Sequence, residues 1–143
     1  MDISYNQANQ NTENYENAPV RWGGVIVDVE NEEDYSLMQV LFYLLDYYGR
    51  PQVDKPEGRF VIKSPEFLDP AIYASGREIT VAGLIDGKIE RTIDKKKIMV
   101  PLITSTAIHL WPSRYRNDNY DYYYGYPSYR GYYRWYPGFY GRW

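Results

Sequence analysis

The sequence predicts a mainly β protein built around a small five-stranded barrel with one short helix. Three observations lead to this fold class. Several short stretches of the 143-residue chain alternate apolar and polar residues, which is typical of strands with one buried face. Turns rich in glycine, proline, asparagine and aspartate separate these stretches. One stretch near the middle of the chain carries helix-capping residues instead, and its length allows only a turn or two of helix.

The central stretch sets the order of the elements. Residues 59–63 and 77–84 have strand patterns. Between them, Ser64 and Asp69 each stand directly before a proline, and a capping residue followed by proline favours the start of a helix. Gly76 is a residue type that commonly follows the end of a helix. We therefore predict a short helix between the third and fourth strands.

The first strand is predicted at residues 20–30, where two glycines interrupt the alternation. A bulge or bend at Gly23-Gly24 resets the pattern and places five apolar side chains on one face. Paired glycines in a strand also mark a close approach of backbones, or simply relieve crowding beside a large side chain. The five predicted core-facing residues are Val20, Trp22, Val25, Val27 and Val29.

Residues 35–48 fit either a helix or a strand. Leu37, Leu41 and Leu44 have helical spacing. A strand requires both faces, or one face and a covering segment, to be buried. We predict a strand, because residues 25–29 and 37–43 then form a hairpin across an acidic turn.

The remaining strand material follows the predicted helix. After the strand at 77–84, Asp86-Gly87 predicts a turn, residues 89–93 a weak strand, and 94–97 a charged turn. Residues 98–111 form the last strand, which Pro101 bends or confines to an edge. Five main strands with a helix between the third and fourth have the order of the oligonucleotide/oligosaccharide-binding (OB) barrel.

Both ends of the chain differ from the predicted barrel. Residues 1–17 are polar and lack periodicity, so we predict a disordered N-terminal arm that acts as a tether. Residues 18–112 form the OB-like barrel. Residues 113–143 are a low-complexity tail rich in tyrosine, arginine and glycine, and without aliphatic side chains this tail cannot build a conventional core.

The composition excludes several function classes. The chain has no cysteine, which rules out disulfides and thiolate chemistry within it, and His109 is its one histidine. No catalytic residue, metal site or cofactor is predicted. The net charge of -3 and the pI near 5.2 argue against a dedicated nucleic-acid-binding protein, whose affinity comes largely from neutralising phosphates.

Four motifs occur in order along the barrel: VRWGGVIVDVEN at 20–31, LDYYGRP at 45–51, GRFVIKSPEFLDPAIYASGREITVAG at 58–83 and HLW at 109–111. In this combination they resemble the Slp (starvation lipoprotein) family of outer-membrane lipoproteins of Gram-negative bacteria. The residues that carry the resemblance are predicted to be structural. They are Arg21, Trp22, Gly23, Gly24, Gly49, Arg50, Pro51, Phe67, Leu68, Asp69, Pro70, Gly76, Arg77 and Trp111.

This resemblance implies an OB-like barrel without enzymatic activity, held at the outer membrane on the periplasmic side. It implies an N-terminal lipid anchor that the chain shown here lacks, with Met1 at or near the position of the lipidated cysteine and the arm as a spacer. The predicted function is therefore a structural or protein-interaction module of the cell envelope. Envelope proteins or glycan are the expected partners, and nucleic acid is not expected to be one.

The tail offers a second functional hypothesis. Its arginines are interleaved with aromatic residues, a composition that stacks on sugar rings, on bases or on anionic head groups. The alternative function is thus an OB-fold module that binds single-stranded nucleic acid or glycan through the tail, while the simpler interpretation is an extension that folds back over its own barrel. The candidate contacts are Arg130, Arg134, Tyr132, Tyr133 and Trp135.

Charged residues inside the central motif have two interpretations. Arg59, Arg77, Asp69 and Glu78 could contact a ligand, and Asp69 with Glu78 could in principle act as an acid and a base. We favour structural roles, with Asp69 as a cap and the arginines as partners of carboxylates or turn carbonyls. The acidic residues at 28–34 are interpreted as a solvated turn, because they lack the spacing of a calcium-binding loop.

Overall fold

The computed structural model describes residues 3–113 and shows a mainly β domain. The strand order β1-β2-β3-β5-β4 closes a barrel in which β3 and β5 are parallel and all other neighbours are antiparallel. This is the strand order of the OB barrel, and the predicted fold class is confirmed. The elements are α1 (Tyr5–Gln10), a 3-10 turn (Thr12–Tyr15), β1 (Pro19–Asn31), β2 (Ser36–Tyr43), β3 (Gly58–Ser64), β4 (Glu78–Ile93) and β5 (Lys96–Leu110).

The ambiguous segment is a strand, as predicted. β2 pairs with β1 on one side and β3 on the other, and it directs Met38, Val40 and Phe42 into the barrel. Its outer face is covered near Leu37, because the far half of the β4–β5 hairpin folds over it. Pairing on both edges and burial on both faces stabilise a strand here, although the leucines have helical spacing.

A second apolar cluster holds that hairpin against the barrel wall. Leu37, Val61 and Val100 are its buried members, and they lie outside the main core. Arg91 near the hairpin turn forms an ion pair of 2.8 Å with Glu30 at the end of β1. Both contacts show that the hairpin crosses the outside of the β1–β2–β3 sheet.

The bulge of β1 lies at Val27, whereas the sequence predicted it at Gly23-Gly24. Pairing with β2 runs regularly through both glycines and shifts between Ile26 and Asp28. Ile26 is therefore buried in the core, and Val25 and Val27 are half-buried. The prediction that Val25 and Val27 face the core was wrong, because a strand with apolar residues on both faces does not reveal its phase.

Between β3 and β4 the chain forms a loop. The prediction of a short helix there was wrong. One helical turn starts at Asp69, whose carboxylate accepts a hydrogen bond from the N–H of Ala71 and whose carbonyl accepts one from Tyr73. The turn does not continue, since Gly76 adopts a left-handed φ of 92° and its N–H donates to Ile26 O. Asp69 is the cap that was predicted, on a single turn.

β4 continues through Asp86-Gly87, where the sequence predicted a turn. The pairs Ile85↔Ile103 and Lys88↔Pro101 flank a bulge in one continuous hairpin. The chain turns instead at residues 94–95, inside the stretch predicted as a charged turn. Pro101 directly precedes Leu102, where pairing with β3 begins, so its missing N–H lies at an edge as predicted.

The N-terminal segment is folded, and the prediction of a disordered arm was wrong. Ser4 caps α1, accepting a hydrogen bond from Gln7 N while the Gln7 side chain accepts from Ser4 N. Tyr5 and Ala8 are buried, whereas Asn6, Gln7 and Gln10 are exposed. Pairing then continues into the barrel, because Ile85 N donates to Ala18 O. In the described part of the chain, no helix is long and apolar enough to cross a membrane.

Candidate functional site: a motif cluster on the barrel wall

Four separate motifs meet on the outer face of β1, β4 and β5. On β1, Arg21 and Gly23 alternate with Trp22, which points inward. Gly23 pairs with Thr80 on β4, and Thr80 pairs with His109 on β5. The β2–β3 loop lies over this face. We call the resulting set the motif cluster: Arg21, Gly23, Gly49, Arg50, Pro51, Glu78, Thr80 and His109.

Two polar contacts and a glycine fix the loop on the strands. Thr80 Oγ1 donates a hydrogen bond of 2.6 Å to Gly49 O, and Arg50 Nε forms an ion pair of 2.8 Å with Glu78 Oε1. A Cβ atom on Gly23 would lie 2.7 Å from the backbone oxygen of Ile79 and 2.7 Å from Leu45 Cδ2, so the position favours glycine between β4 and the loop. The predicted motif residues at 49–51 are thus the part of the loop that touches the barrel.

Asp46 shapes the exposed tip of the same loop. Its carboxylate oxygen Oδ1 accepts hydrogen bonds from the N–H groups of Tyr48 and Arg50, at 2.8 and 3.0 Å. Tyr47 and Tyr48 stand at the tip with 95% and 78% of their surface exposed. Their rings contact each other edge to face at 5.3 Å. A carboxylate-stabilised turn therefore presents two aromatic side chains to the surroundings.

The electrostatics of the motif cluster are those of a largely buried pair. The side chains of Arg50 and Glu78 are 20% and 10% exposed. Burial, and secondarily the charge of Arg50, lowers the pKa of His109 to about 4. The imidazole is therefore neutral at pH 7. Among residues 3–113, no group of three or more histidine, aspartate or glutamate side chains is arranged to hold a metal ion.

An aromatic cluster closes the barrel beside the N-terminal segment. Tyr5 stacks on Phe42 with ring centroids 4.8 Å apart and also contacts Trp22. The Tyr5 hydroxyl donates to Arg59 O at 2.8 Å and accepts from Arg59 N at 3.1 Å. Burial raises the pKa of Tyr5, so the phenol stays protonated. Trp22 Nε1 donates to Ile3 O, which ties the start of the described chain to the barrel.

The same end carries an open groove of about 520 Å³. Ile3 and Ser4 line it together with Leu44 and Leu45 of the β2–β3 loop. The N-terminal segment and the loop therefore lie next to each other.

The FLDP motif lies at the opposite end of the barrel. Leu68 is buried in the core, and Phe67 is 70% exposed. The Asn31 side chain brackets Leu68, donating to its carbonyl at 3.0 Å and accepting from its N–H at 3.3 Å. Pro70 follows Asp69 in the exposed turn. The motif thus anchors the β3–β4 loop.

The predicted motif residues outside the motif cluster lie in other parts of the structure. Gly76 and Arg77 bond through their backbones to Ile26 on β1, and Trp111 directly follows β5. Two charged residues of the central motif have different partners: Glu78 pairs with Arg50, whereas Asp69 caps a turn. The candidate tail contacts Arg130, Arg134, Tyr132, Tyr133 and Trp135 lie outside the described residues.

Sequence reasoning missed Asp46, Asn31 and Tyr5. A local signal existed for two of the three. Asp46 precedes Gly49 at the spacing of a side-chain-stabilised turn. Ser4 and Gln7 have the spacing of a capping box, which predicts the helix that carries Tyr5. Asn31 acts on a residue far along the chain, and no local pattern indicates it.

Comparison with known proteins identifies the family. The family model for the outer membrane lipoprotein Slp family matches residues 1–140. The chain belongs to this family. Its membership assigns the chain to the lipid-anchored proteins of the outer membrane, which confirms the predicted family and localisation.

Two curated relatives come from Escherichia coli (strain K12). The outer membrane protein Slp is 27% identical over 101 residues, covering 70% of this chain and 53% of Slp. The uncharacterized lipoprotein YeaY is 28% identical over 98 residues, covering 68% of this chain and 50% of YeaY. The matched region of this Slp-family chain therefore spans about half the length of these relatives.

The chain is also similar to a solved structure. It is the small single-stranded DNA-binding protein from Streptomyces coelicolor, with a TM-score of 0.46 and 12% sequence identity, covering 66% of this chain and 94% of that one. A likeness at this level supports no inference about the ligand of the Slp-family chain.

Removing the charge of Glu78 tests the largely buried pair of the motif cluster. We expect Glu78→Gln to lower the free energy of unfolding by about 2 kcal/mol, because Arg50 keeps its charge in a largely buried place. Urea denaturation followed by circular dichroism measures the loss. The matched control is Glu90→Gln, whose 3.9 Å pair with Lys97 is exposed and should contribute less than about 0.5 kcal/mol. Equal losses in the two variants would contradict a structural role of the cluster.

The low pKa of His109 predicts a loss of stability in acid. In the unfolded chain His109 takes up a proton below its ordinary pKa of about 6.5. In the folded chain it takes up this proton only near pH 4. Stability therefore falls as the pH drops through this window. Because solvent screens the partly buried ring, we expect a loss of about 1–2 kcal/mol. Comparing unfolding at pH 7 and pH 4 in wild type and His109→Gln isolates the effect, and parallel losses in both proteins would refute it.

Proposed function

We propose that this chain is the folded domain of an outer-membrane lipoprotein that acts without catalysis, as a structural or protein-interaction module of the cell envelope. The observation that carries the proposal is how the motif residues use their polar groups. Glu78 binds Arg50, Thr80 binds Gly49 O, and Asn31 binds Leu68. A catalytic residue must direct its functional group at a substrate. Here the motifs hold loops on a barrel.

The anchor in this proposal is a lipidated cysteine located N-terminal to Ile3. A single acyl chain binds membranes only marginally, whereas the two or three chains of a bacterial lipoprotein anchor hold a protein firmly. The barrel itself then needs no membrane-spanning element. Its task is to present surfaces close to the membrane, with envelope proteins or glycan as the partners.

The tail supplies the second contact in this proposal. Arg130 and Arg134 alternate with aromatic side chains such as Trp135, a composition suited to stacking on sugar rings or on aromatic residues of a partner protein. For the nucleic-acid alternative, a labelled single-stranded oligonucleotide titrated at low salt is the direct test. We expect no binding, because the chain carries a net charge of -3.

The anchor is tested on the protein expressed from its complete native gene. We expect membrane fractions to contain it, and intact-mass and N-terminal peptide analysis to show a diacyl or triacyl cysteine before Ile3. An unmodified N-terminus in the soluble fraction would overturn the proposal.

The interaction role is tested in the same cells by photo-crosslinking. A photoreactive phenylalanine analogue replaces Tyr133 in the tail, and a control replaces the exposed Lys95 at the hairpin turn. We expect a discrete adduct with an envelope protein or glycan from position 133 and none from position 95. The absence of an adduct at position 133 would refute the tail as a contact.

A further inference from the structure

We propose that the tip of the β2–β3 loop is the surface that rests on the phospholipid membrane. We call this surface the tip patch: Leu44, Tyr47, Tyr48 and Val53. The inference rests on the proposed lipid anchor and adds an orientation to it. One end of the barrel faces the bilayer, and the FLDP end points away.

The tip patch combines exposure with a fixed shape. Its side chains are 54%, 95%, 78% and 46% exposed in chain order. They do not owe this exposure to a loose loop, since Asp46 Oδ1 holds the backbone N–H groups of Tyr48 and Arg50. Arg50 is paired in turn with Glu78 on β4. The motif cluster therefore holds two tyrosines out into the surroundings, an arrangement that water alone does not favour.

The start of the described chain lies beside this patch. Ile3 and Ser4 line the same groove as Leu44 and Leu45, and Ile3 O accepts a hydrogen bond from Trp22. A lipid attached N-terminal to Ile3 thus departs from the barrel next to the loop. Each extended residue between the lipid and Ile3 increases the possible distance between the membrane and Ile3 by at most about 3.5 Å. Residues 3–18 add none, because they are folded onto the barrel.

The chemistry of the patch suits the membrane interface. Tyrosine places its ring among the acyl chains and its hydroxyl at the head groups, and leucine and valine enter the apolar layer. Ionic attraction contributes little, since acidic and basic side chains are mixed around the loop. These are Asp46, Asp54 and Glu57 against Arg50 and Lys55. Contact should therefore resist salt, unlike the contact of a basic patch.

The opposite end of the barrel has the wrong chemistry for a phospholipid surface. Glu32, Glu33 and Asp34 are exposed in the β1–β2 turn, and Glu66 is exposed in the β3–β4 loop. These carboxylates are repelled by the anionic lipids of a bacterial membrane. The seven residues of β3 separate the two loops by about 20 Å. One orientation of the barrel is therefore favoured.

Four side chains are too few to bind a membrane by themselves. The lipid anchor confines the patch to the bilayer surface, which raises its effective concentration. We therefore expect membrane contact only in the anchored protein. The unanchored chain should stay in solution when mixed with vesicles.

The test places a fluorescent probe in the anchored protein. Because this chain has no cysteine and a lipidated cysteine carries no free thiol, Tyr47→Cys introduces one labelling site. The lipoprotein, purified from its complete native gene, is reconstituted in vesicles of phosphatidylethanolamine and phosphatidylglycerol. Phe67→Cys is the matched control, because it replaces another exposed aromatic residue at the far end.

We expect a probe at position 47 to emit at shorter wavelength, and spin-labelled lipids to quench it at least about twofold more than a probe at position 67. Raising the salt concentration should leave both readings unchanged. Two outcomes separate the claims. A protein that fails to float with the vesicles overturns the anchor and this inference together. A protein that floats while position 47 stays in water, or is quenched no more than position 67, overturns the orientation alone and leaves the tip patch to a protein partner.

Discussion

Gly24→Ala should abolish folding of the barrel. A Cβ atom at this position would lie 1.8 Å from Leu41 O and 2.9 Å from a methyl group of Val40. Neither strand can move away, because Gly24 lies in the regular ladder between β1 and β2. We expect a loss of about 4 kcal/mol or more in the free energy of unfolding, a large part of the stability of a domain this size.

The control for this prediction is another glycine. A Cβ atom on Gly76 would meet nothing within 4 Å. The position favours glycine because of its left-handed φ of 92°. We expect Gly76→Ala to lose about 1–2 kcal/mol and to stay folded. Soluble yield and urea denaturation compare the two variants. Similar stabilities would show that the approach of β1 to β2 is looser than described.

Tyr5→Ala should give the second-largest effect. The substitution removes a ring from the aromatic cluster and both hydrogen bonds to the Arg59 backbone. We expect a loss of about 3–4 kcal/mol, the range for a large aromatic side chain removed from a core. Gly58 leaves the space that this ring occupies, because a Cβ atom on Gly58 would clash with the Tyr5 hydroxyl oxygen.

The control is a tyrosine that touches little. Tyr47 is 95% exposed, and Tyr47→Ala should change the free energy of unfolding by less than about 0.5 kcal/mol. Thermal and urea unfolding measure both variants. Equal stabilities would mean that the N-terminal segment does not contribute to the fold, and would restore the tether predicted from its polarity.

Local patterns predicted the strands because alternation of apolar and polar residues is a local property. The segment of β2 was predicted correctly because the hairpin with β1 and the resemblance to the Slp family outweighed its helical spacing. Bulge positions were not predictable in this way. Val27 and Asp86-Gly87 break the ladders because of the register of the partner strands, and that register is set by the closed barrel as a whole.

Capping residues and polarity were the two misleading signals. Asp69 caps a turn in the structure, but a cap can serve one turn as well as a helix, and Gly76 ends it. The N-terminal segment has mostly polar residues, yet Ile3, Tyr5 and Ala8 suffice to cover one end of the barrel. Its packing also involves the Arg59 backbone, which lies far along the chain and exchanges two hydrogen bonds with Tyr5.

The contacts within the motif cluster could not be predicted from local sequence patterns either. The family resemblance named five of the eight members, and Glu78 and His109 were weighed separately, but Thr80 was not singled out from the sequence. The pairing of Arg50 with Glu78, and the support this gives to Tyr47 and Tyr48, requires the β2–β3 loop to lie across β1 and β4. Contacts between motifs distant in sequence depend on the fold.

The closing pairs of the barrel also determine when it can fold. Trp22 pairs with Val81, and Val61 with Leu102, so the cylinder cannot close before the chain through β5 is available. Such distant pairings slow folding, because long loops must be ordered before their contacts form. The pairings of β3 and β4 with β5 therefore require that the chain be available through Leu110 before the barrel closes.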